Sequence, residues 1–506
     1  MLIKVRSLGL QGMYGYEVTA ECDLHNGLPA FDIVGLPDAA VKEARERVRA
    51  AVKNSGYSFP VSRITVNLAP ANLRKSGTVY DLPILIGILA AQNQIYLPDD
   101  SVAFVGELSL SGTLRPVIGM LPMALAAQKA GIRELFVPAP SAAEATLAEG
   151  LVIYPVQTVT QLVKHLTGEA SISPATPWQS TEECPIAPDF SEVKGQEQVK
   201  RVLEIAAAGG HNVAMIGPPG SGKSMLAKRL PSILPPLRRD EALEVSAIHS
   251  ILGLLPNHQP LITQRPFRSP HHTISSSGMA GGGNPIPRPG EISLAHHGVL
   301  FLDEMPEFHK DVLEILRQPI EDGKIQIVRA AAAESFPSDF MLVAAMNPCK
   351  CGWHGHPSGR CRCTAKAVTR YLEKLSGPLL DRIDLFTEVP PLEFDELSSG
   401  ERGESSRSIL TRVLAAREHQ SKRFGERGLP CNAQMGQREL RDHCAIDEMG
   451  QSILRGAYER MGLTARGYDR ILRVARTIAD LEDSVRIEAH HLAEALQYRA
   501  PSYLRR

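Results

Sequence analysis

Eight residues restrict this chain more than any others. Gly217, Pro218, Pro219, Gly220, Ser221, Gly222, Lys223 and Ser224 spell G-x-x-x-x-G-K-S. Glycines at these places let successive backbone N–H groups turn inward around phosphate oxygens. The helix that follows adds positive potential at its N-terminus. The lysine then reaches the β- and γ-phosphates and the serine ligates Mg2+. Such a loop works only between a strand and a helix. Residues 212–216 read as the strand and residues 223–230 as the helix. The expectation is an α/β fold with a parallel-sheet core whose cofactors are ATP and Mg2+. The plain alternative is a glycine-rich turn.

A partner element lies downstream. Val299–Leu302 is an apolar strand ending in Asp303 and Glu304. Asp303 suits Mg2+ held through water, and Glu304 suits the orientation and polarisation of an attacking water. An apolar strand ending in acids is common by itself; its weight comes from the loop. Asn347 follows a strand at 341–346, where it would position water near the γ-phosphate. Arg382, inside Leu379, Leu380, Asp381, Arg382, Ile383 and Asp384, suits an arginine offered to a neighbour's γ-phosphate, which requires an oligomer. Arg466 and Arg470 begin a C-terminal helix, a lid from which one would reach the bound nucleotide. The plain reading of each arginine is a solvated charge.

Length and pattern give the organisation. The 506 residues allow about three domains. Residues 1–166 alternate strand and helix patterns, including a strand at 63–68, a strand at 102–110 and a helix at 122–130. Residues 167–188 are rich in Ser, Thr, Pro and Glu and read as a linker. Residues 189–391 form the phosphate-binding core, and 392–506 a polar connector followed by helices near 436–444, 447–461, 467–481 and 488–498. The start of the chain has no signal-peptide pattern, and the longest apolar run, 82–91, is too short to span a bilayer. A cytoplasmic protein with no membrane partner is expected.

Cys349, Cys351, Cys361 and Cys363 bring two close thiol pairs within fifteen residues, as a tetrahedral Zn2+ site requires. Gly352, Gly355 and Gly359 allow the turns, and His354 and His356 are spare ligands. Reduced thiols in a loop, or a redox pair, are the alternatives. Cys22, Cys184, Cys431 and Cys444 stand apart and read as packing residues.

Several segments together resemble the bacterial ComM/YifB family of Mg-chelatase-like AAA+ ATPases. They are residues 265–273, Gly281 to Gly283, residues 288–304, Asn347 to Cys349, and residues 376–384. The resemblance covers essentially the whole chain. It implies a hexameric ring with ATP at subunit interfaces, working as a DNA motor or helicase in branch migration, homologous recombination and natural transformation. Single-stranded or branched DNA would be the partner. In related helicases an insertion between the two phosphate motifs points into the ring pore; here residues 265–290 would offer Arg265, Arg268, His271, His272 and Arg288. The formal net charge of -1 excludes a protein that coats nucleic acid through bulk charge, so DNA would be held by a few cations repeated around a pore.

Residues 1–166 resemble the proteolytic domain of Lon, through Ile64 to Leu68, Lys75 to Gly77, Gly106 to Gly112 and Pro116 to Gly119. Val79 stands where that family has its serine and Leu121 where it has its lysine. A Ser–Lys dyad needs a hydroxyl and an amine, so the resemblance implies the fold without protease activity. A shifted dyad of Lys75 and Ser76 is the alternative. Two other functions remain: a chelatase-type ATPase driving metal insertion into a tetrapyrrole, and a scaffold that uses ATP only to assemble.

Overall fold

The computed structural model describes residues 2–179, 188–256, 259–283, 286–329, 333–356, 358–391, 403–425, 428–461, 463–501 and 504. Cys184, residues 180–187 of the expected linker and residues 392–402 of the expected connector lie outside them. Two compact units emerge: Met1–Glu183 with Arg239–Ile262, and Cys184–Arg238 with Thr263–Arg506.

The first unit is built on a seven-stranded mixed sheet. Its order is Ala30–Val34, Arg63–Ala69, Tyr14–His25, Leu2–Gln11, Val102–Phe104, Glu134–Pro138 and Val152–Val156. Leu2–Gln11 and Tyr14–His25 form a long antiparallel hairpin, and the strands from Leu2–Gln11 to Val152–Val156 run parallel. The strand expected over 102–110 breaks into Val102–Phe104 and Glu107–Leu108. Helix Asp81–Ala91 is buried at every position, so it has no polar face, and this explains the most apolar run of the chain. Asp81 brings a carboxylate into that interior. Arg47 meets its two oxygens at 2.7 and 2.9 Å, and the Leu108 N–H donates at 3.2 Å. Burial still raises the Asp81 carboxyl above its ordinary range.

Val79 belongs to this apolar core and Leu121 is fully buried. The Lys75 ammonium is spent on the carbonyls of Pro70 and Leu73.

Two segments depart from the expected boundaries. Part of the 167–188 linker is folded onto the first unit: Ile172 is buried, the Ala175 N–H donates to Ile153 O at 2.7 Å, and the Trp178 N–H donates to Thr146 Oγ1 at 3.1 Å. Backbone docking of this kind leaves no apolar period to read. Helix Arg239–Ser250, expected within the 189–391 core, belongs to the first unit. There the Gly119 N–H donates to Ser250 O at 3.2 Å and the Ser250 hydroxyl donates to Glu144.

The second unit holds a five-stranded parallel sheet in the order Phe267–Arg268, Val299–Leu302, Met341–Met346, Val213–Ile216 and Leu385–Glu388. The three middle strands are buried throughout, as a sheet covered on both faces demands. Helices Ser406–Phe424, Gln437–His443, Glu448–Met461, Ala465–Leu481 and Ala489–Gln497 follow. Their apolar residues, among them Ile409, Val413, Ile471 and Ile478, join Val199, Val213 and Phe301 in one continuous core. The helices from Ser406 to Gln497 thus share the sheet's core. Asp480, buried on Ala465–Leu481, accepts from Arg423 at 2.9 Å, Asn432 at 2.8 Å and Arg476 at 3.0 Å. This charged knot fixes the helix that carries Arg466 and Arg470.

Candidate functional site

All five strands of this sheet run the same way, so it has two chemically different edges. At the C-terminal edge, Val213–Ile216 ends in the loop 217–222 and helix Lys223–Arg229 begins. The loop's shape depends on two glycines: Gly220 and Gly222 take φ of 80° and 90°, which side chains resist. Gly217 is required for another reason, since a Cβ there would stand 2.3 Å from Val389 O. Pro218, Pro219 and Ser221 complete the loop, with Ser221 buried.

The side chains of the two motifs lie close together. Lys223 Nζ donates to the carbonyls of Gly217 and Pro218, each at 2.8 Å, and lies 3.3 Å from Asn347 Oδ1. Burial lowers its pKa from the ordinary lysine value, while Asp303 and Glu304 oppose that shift. Ser224 Oγ donates to Asp303 Oδ2 at 2.6 Å. A hydroxyl and a carboxylate so placed present hard oxygens to one small cation, which suits Mg2+. Glu304 follows in the left-handed region at φ 52°, a costly place for a residue with a Cβ. Its carboxylate is exposed, and His272 Nδ1 stands 3.8 Å from Glu304 Oε2. Asn347 follows strand Met341–Met346, beside Val213–Ile216, so the loop, both acids and the amide share one edge.

Arg382, Arg466 and Arg470 sit at the other edge. Arg382 O accepts from Asn212 Nδ2 at 2.9 Å, and Asn212 precedes the strand that the phosphate loop follows. Four strand residues, roughly 13 Å, separate the two places. The Arg382 guanidinium is bound to Glu321 Oε1 at 2.6 Å and Arg317 O at 3.1 Å, and also to Pro378 O. Arg466 reaches the same Glu321 oxygen at 3.2 Å, and Arg470 donates to Ile383 O. These residues line a cavity of about 860 Å³ together with Asp339, Gln434 and Arg473. Within one chain, Arg466 and Arg470 thus lie at the edge away from the phosphate loop. Sequence patterns missed Glu321, because an acid on a short helix carries no signature.

The residues grouped for DNA separate. Arg265 donates to Pro235 O at 2.6 Å and His297 O at 2.7 Å, tying loops together. Arg268 forms a two-pronged pair with Glu291 at 2.7 and 2.8 Å. His271 stacks on His272, with 4.1 Å between rings, and His272 faces Glu304. Arg288 alone of the three arginines is exposed, on a hairpin formed by Gly281–Gly282 and Arg288–Pro289. A second hairpin, Lys324–Val328 with Ala333–Pro337, lies against it: a Cβ on Gly281 would meet Ile327 at 2.5 Å, and Gly282 lies close to Arg329. Neither this hairpin nor Arg329 was singled out from the sequence.

The four cysteines do gather. Cys349 Sγ lies 3.3 Å from Cys351 Sγ and 3.9 Å from Cys361 Sγ, and Cys351 and Cys361 are 3.7 Å apart. All four sulfurs, Cys363 included, lie within 4.8 Å of one another. Tetrahedral thiolate coordination at about 2.3 Å demands sulfurs about 3.8 Å apart, so the donor set fits a zinc-class ion. The Trp353 N–H and the Cys349 thiol lower Cys351 to about 6. Cys22, Cys431 and Cys444 are buried, as expected of packing residues.

Comparison with known proteins fits this architecture. Residues 189–397 match the family "Magnesium chelatase, subunit ChlI", residues 20–141 "Subunit ChlI of Mg-chelatase" and residues 403–499 "Magnesium chelatase, subunit ChlI C-terminal". The competence protein ComM of Haemophilus influenzae is 45% identical over 505 residues, covering 98% of this chain and 97% of that protein. The uncharacterized protein YifB of Salmonella typhimurium is 45% identical over 493 residues, 97% of this chain and 95% of its own length. The magnesium-chelatase 67 kDa subunit of Heliobacterium mobile is 25% identical over 278 residues, 48% of this chain and 41% of its own length. With a near full-length relative at this identity and a parallel-sheet phosphate core, the chain belongs to the ComM/YifB family of Mg-chelatase-like AAA+ ATPases.

Proposed function

We propose that the protein is an ATP-hydrolysing motor that works on DNA as a hexameric ring, a helicase promoting branch migration in recombination and natural transformation. One observation carries the reading: the groups for phosphate, Mg2+ and water occupy one edge of the sheet, and Arg382 occupies the other. A chain built so completes its site only with a second copy. In that arrangement Lys223 binds the phosphates and Ser224 and Asp303 hold Mg2+. Glu304 polarises the water, Asn347 orients it, and a neighbour's Arg382 stabilises the transition-state charge. Arg466 and Arg470 would approach the same neighbouring nucleotide.

DNA contact falls to Arg288 and the adjoining Arg329. A competence protein among the near full-length relatives supports a DNA substrate. The four cysteines hold a structural Zn2+, and buried Val79 and Leu121 leave residues 1–166 without peptidase chemistry. Among the described residues no helix is long and apolar enough to cross a membrane, in keeping with work in the cytoplasm.

The test is the ATPase rate of the full chain with and without single-stranded or branched DNA. Stimulation by DNA, abolished by Glu304→Gln, is expected. Stimulation only by a chelatase partner subunit would replace this reading with tetrapyrrole metal insertion.

A further inference from the structure

The cysteine knuckle touches the phosphate loop. Cys349 directly follows Asn347 and Pro348 at the end of strand Met341–Met346, and its carbonyl accepts from the Gly352 N–H at 2.9 Å. That bond closes a tight turn in which Gly352 takes φ of 84°. The turn abuts Pro219 of the loop: a Cβ at Gly352 would stand 2.4 Å from Pro219 Cδ and 2.6 Å from its Cγ. Close approach of the two backbones is thus built into the choice of glycine.

The other half of the knuckle leads back to the same edge. Cys361 and Cys363 precede helix Ala365–Leu372, capped by Thr364. That helix carries buried Tyr371, whose pKa is raised, first by burial and then by Glu307, Cys349 and Glu304. Just beyond, Lys374 pairs with Glu307 at 3.2 Å, three residues after Glu304. Arg360 stacks over Trp353 at 5.0 Å, bracing one half against the other. Four thiolates around one ion would fix the turn on Pro219 and the helix that follows Cys363 as a single body.

We propose that the metal-loaded knuckle is a positioning device for the phosphate loop, so that ATP affinity in this protein depends on a zinc-class ion that touches no nucleotide. The inference rests on the metal reading above. Gly352 and the cysteines act through Pro219 and Asn347, and are positioning residues. Loss of the ion frees the turn and displaces the loop. Displacements of about 1 Å at such a site cost roughly 10- to 100-fold.

The experiment strips metal from the full-length protein with a mercurial titrant and a chelator, then restores Zn2+. Metal content, thermal melting and affinity for a fluorescent ATP analogue are read at each stage. The expected result is about one zinc per chain, a rise in the nucleotide Kd of roughly tenfold or more on stripping, and recovery on re-addition. Unchanged affinity in a folded, metal-free chain would overturn the coupling and leave the metal site standing. A chain that purifies without metal and takes up none would remove the foundation instead. Gly352→Ala gives the independent arm, since it leaves all four thiols in place. It should retain zinc yet bind ATP more weakly, and normal affinity in that variant overturns the proposal.

Discussion

The two edges of the parallel sheet in the second unit carry opposite kinds of information. At the C-terminal edge the chemistry is contiguous. Eight residues make the loop, two acids end a strand, and an amide ends the next. Each is placed by backbone geometry that its own neighbours dictate, such as the left-handed glycines of the loop. At the N-terminal edge the chemistry is assembled from afar: Glu321, Arg382 and Arg466 meet in space across 146 positions of chain. An edge of the first kind can be read in a sequence and works within one chain. The second kind has no local signature, and it faces away from its own phosphate loop. On the function proposed above, the contrast divides the active site between two chains, with a sheet about four residues deep between the halves.

The largest effect should come from breaking that division. Arg382→Ala is expected to lower ATP turnover about 1,000-fold or more, as loss of an arginine supplied in trans does, with ATP binding little changed. Mixing Arg382→Ala chains with Glu304→Gln chains should then restore part of the activity, because some interfaces combine an intact Glu304 with an intact Arg382. Turnover measured across mixing ratios checks this. No recovery in co-assembled rings would mean that both residues serve one nucleotide within one chain.

Next comes the C-terminal edge itself. Glu304→Gln should reduce hydrolysis about 100- to 10,000-fold, the range for a lost general base. Asp303 and Ser224 would still hold Mg2+, so nucleotide affinity should stay within about threefold of the parent. Single-turnover hydrolysis beside equilibrium binding separates the two quantities. Equal losses in both would show that the left-handed Glu304 backbone shapes the site more than its carboxylate works in it.

These residues also mark how far sequence reading went. Strand Val299–Leu302 was legible as an unbroken apolar run ending in acids, and the helices near 467–481 and 488–498 by their period. The phosphate loop was legible because its function is backbone geometry. The 265–290 segment was not, because charge alone does not tell a cation that binds a ligand from one that binds its own fold. Arg268 and Arg288 look alike in the sequence, yet the first is paired with Glu291 and the second is exposed. Residues 239–250 fell inside the 189–391 range because chain order gives no sign that a segment leaves one body and joins another.

Arg268 supplies a smaller test of the same contrast. Arg268→Ala breaks a half-buried, two-pronged pair, and the charge-assisted bonds predict a loss of about 1 kcal/mol in stability. The urea midpoint of the second unit should fall, while DNA stimulation in the folded protein should survive. Loss of DNA response with unchanged stability would return Arg268 to the DNA face.

The smallest effect is the one that tests the DNA surface directly. Arg288 and Arg329 lie on adjoining hairpins whose close fit depends on Gly281 and Gly282. Two such cations can neutralise two phosphates in each chain that engages DNA, and each neutralised phosphate adds about 0.9 to the slope of log affinity against log salt. Arg288→Ala with Arg329→Ala should therefore flatten that slope by about 2 for each engaged chain and leave ATP turnover without DNA near the parent rate. The effect on affinity at any one salt is modest, so the slope is the better measure. An unchanged slope would clear both hairpins of phosphate contact. The contrast between edges would then lose its third element: a surface, distinct from either, that joins the motor to its track.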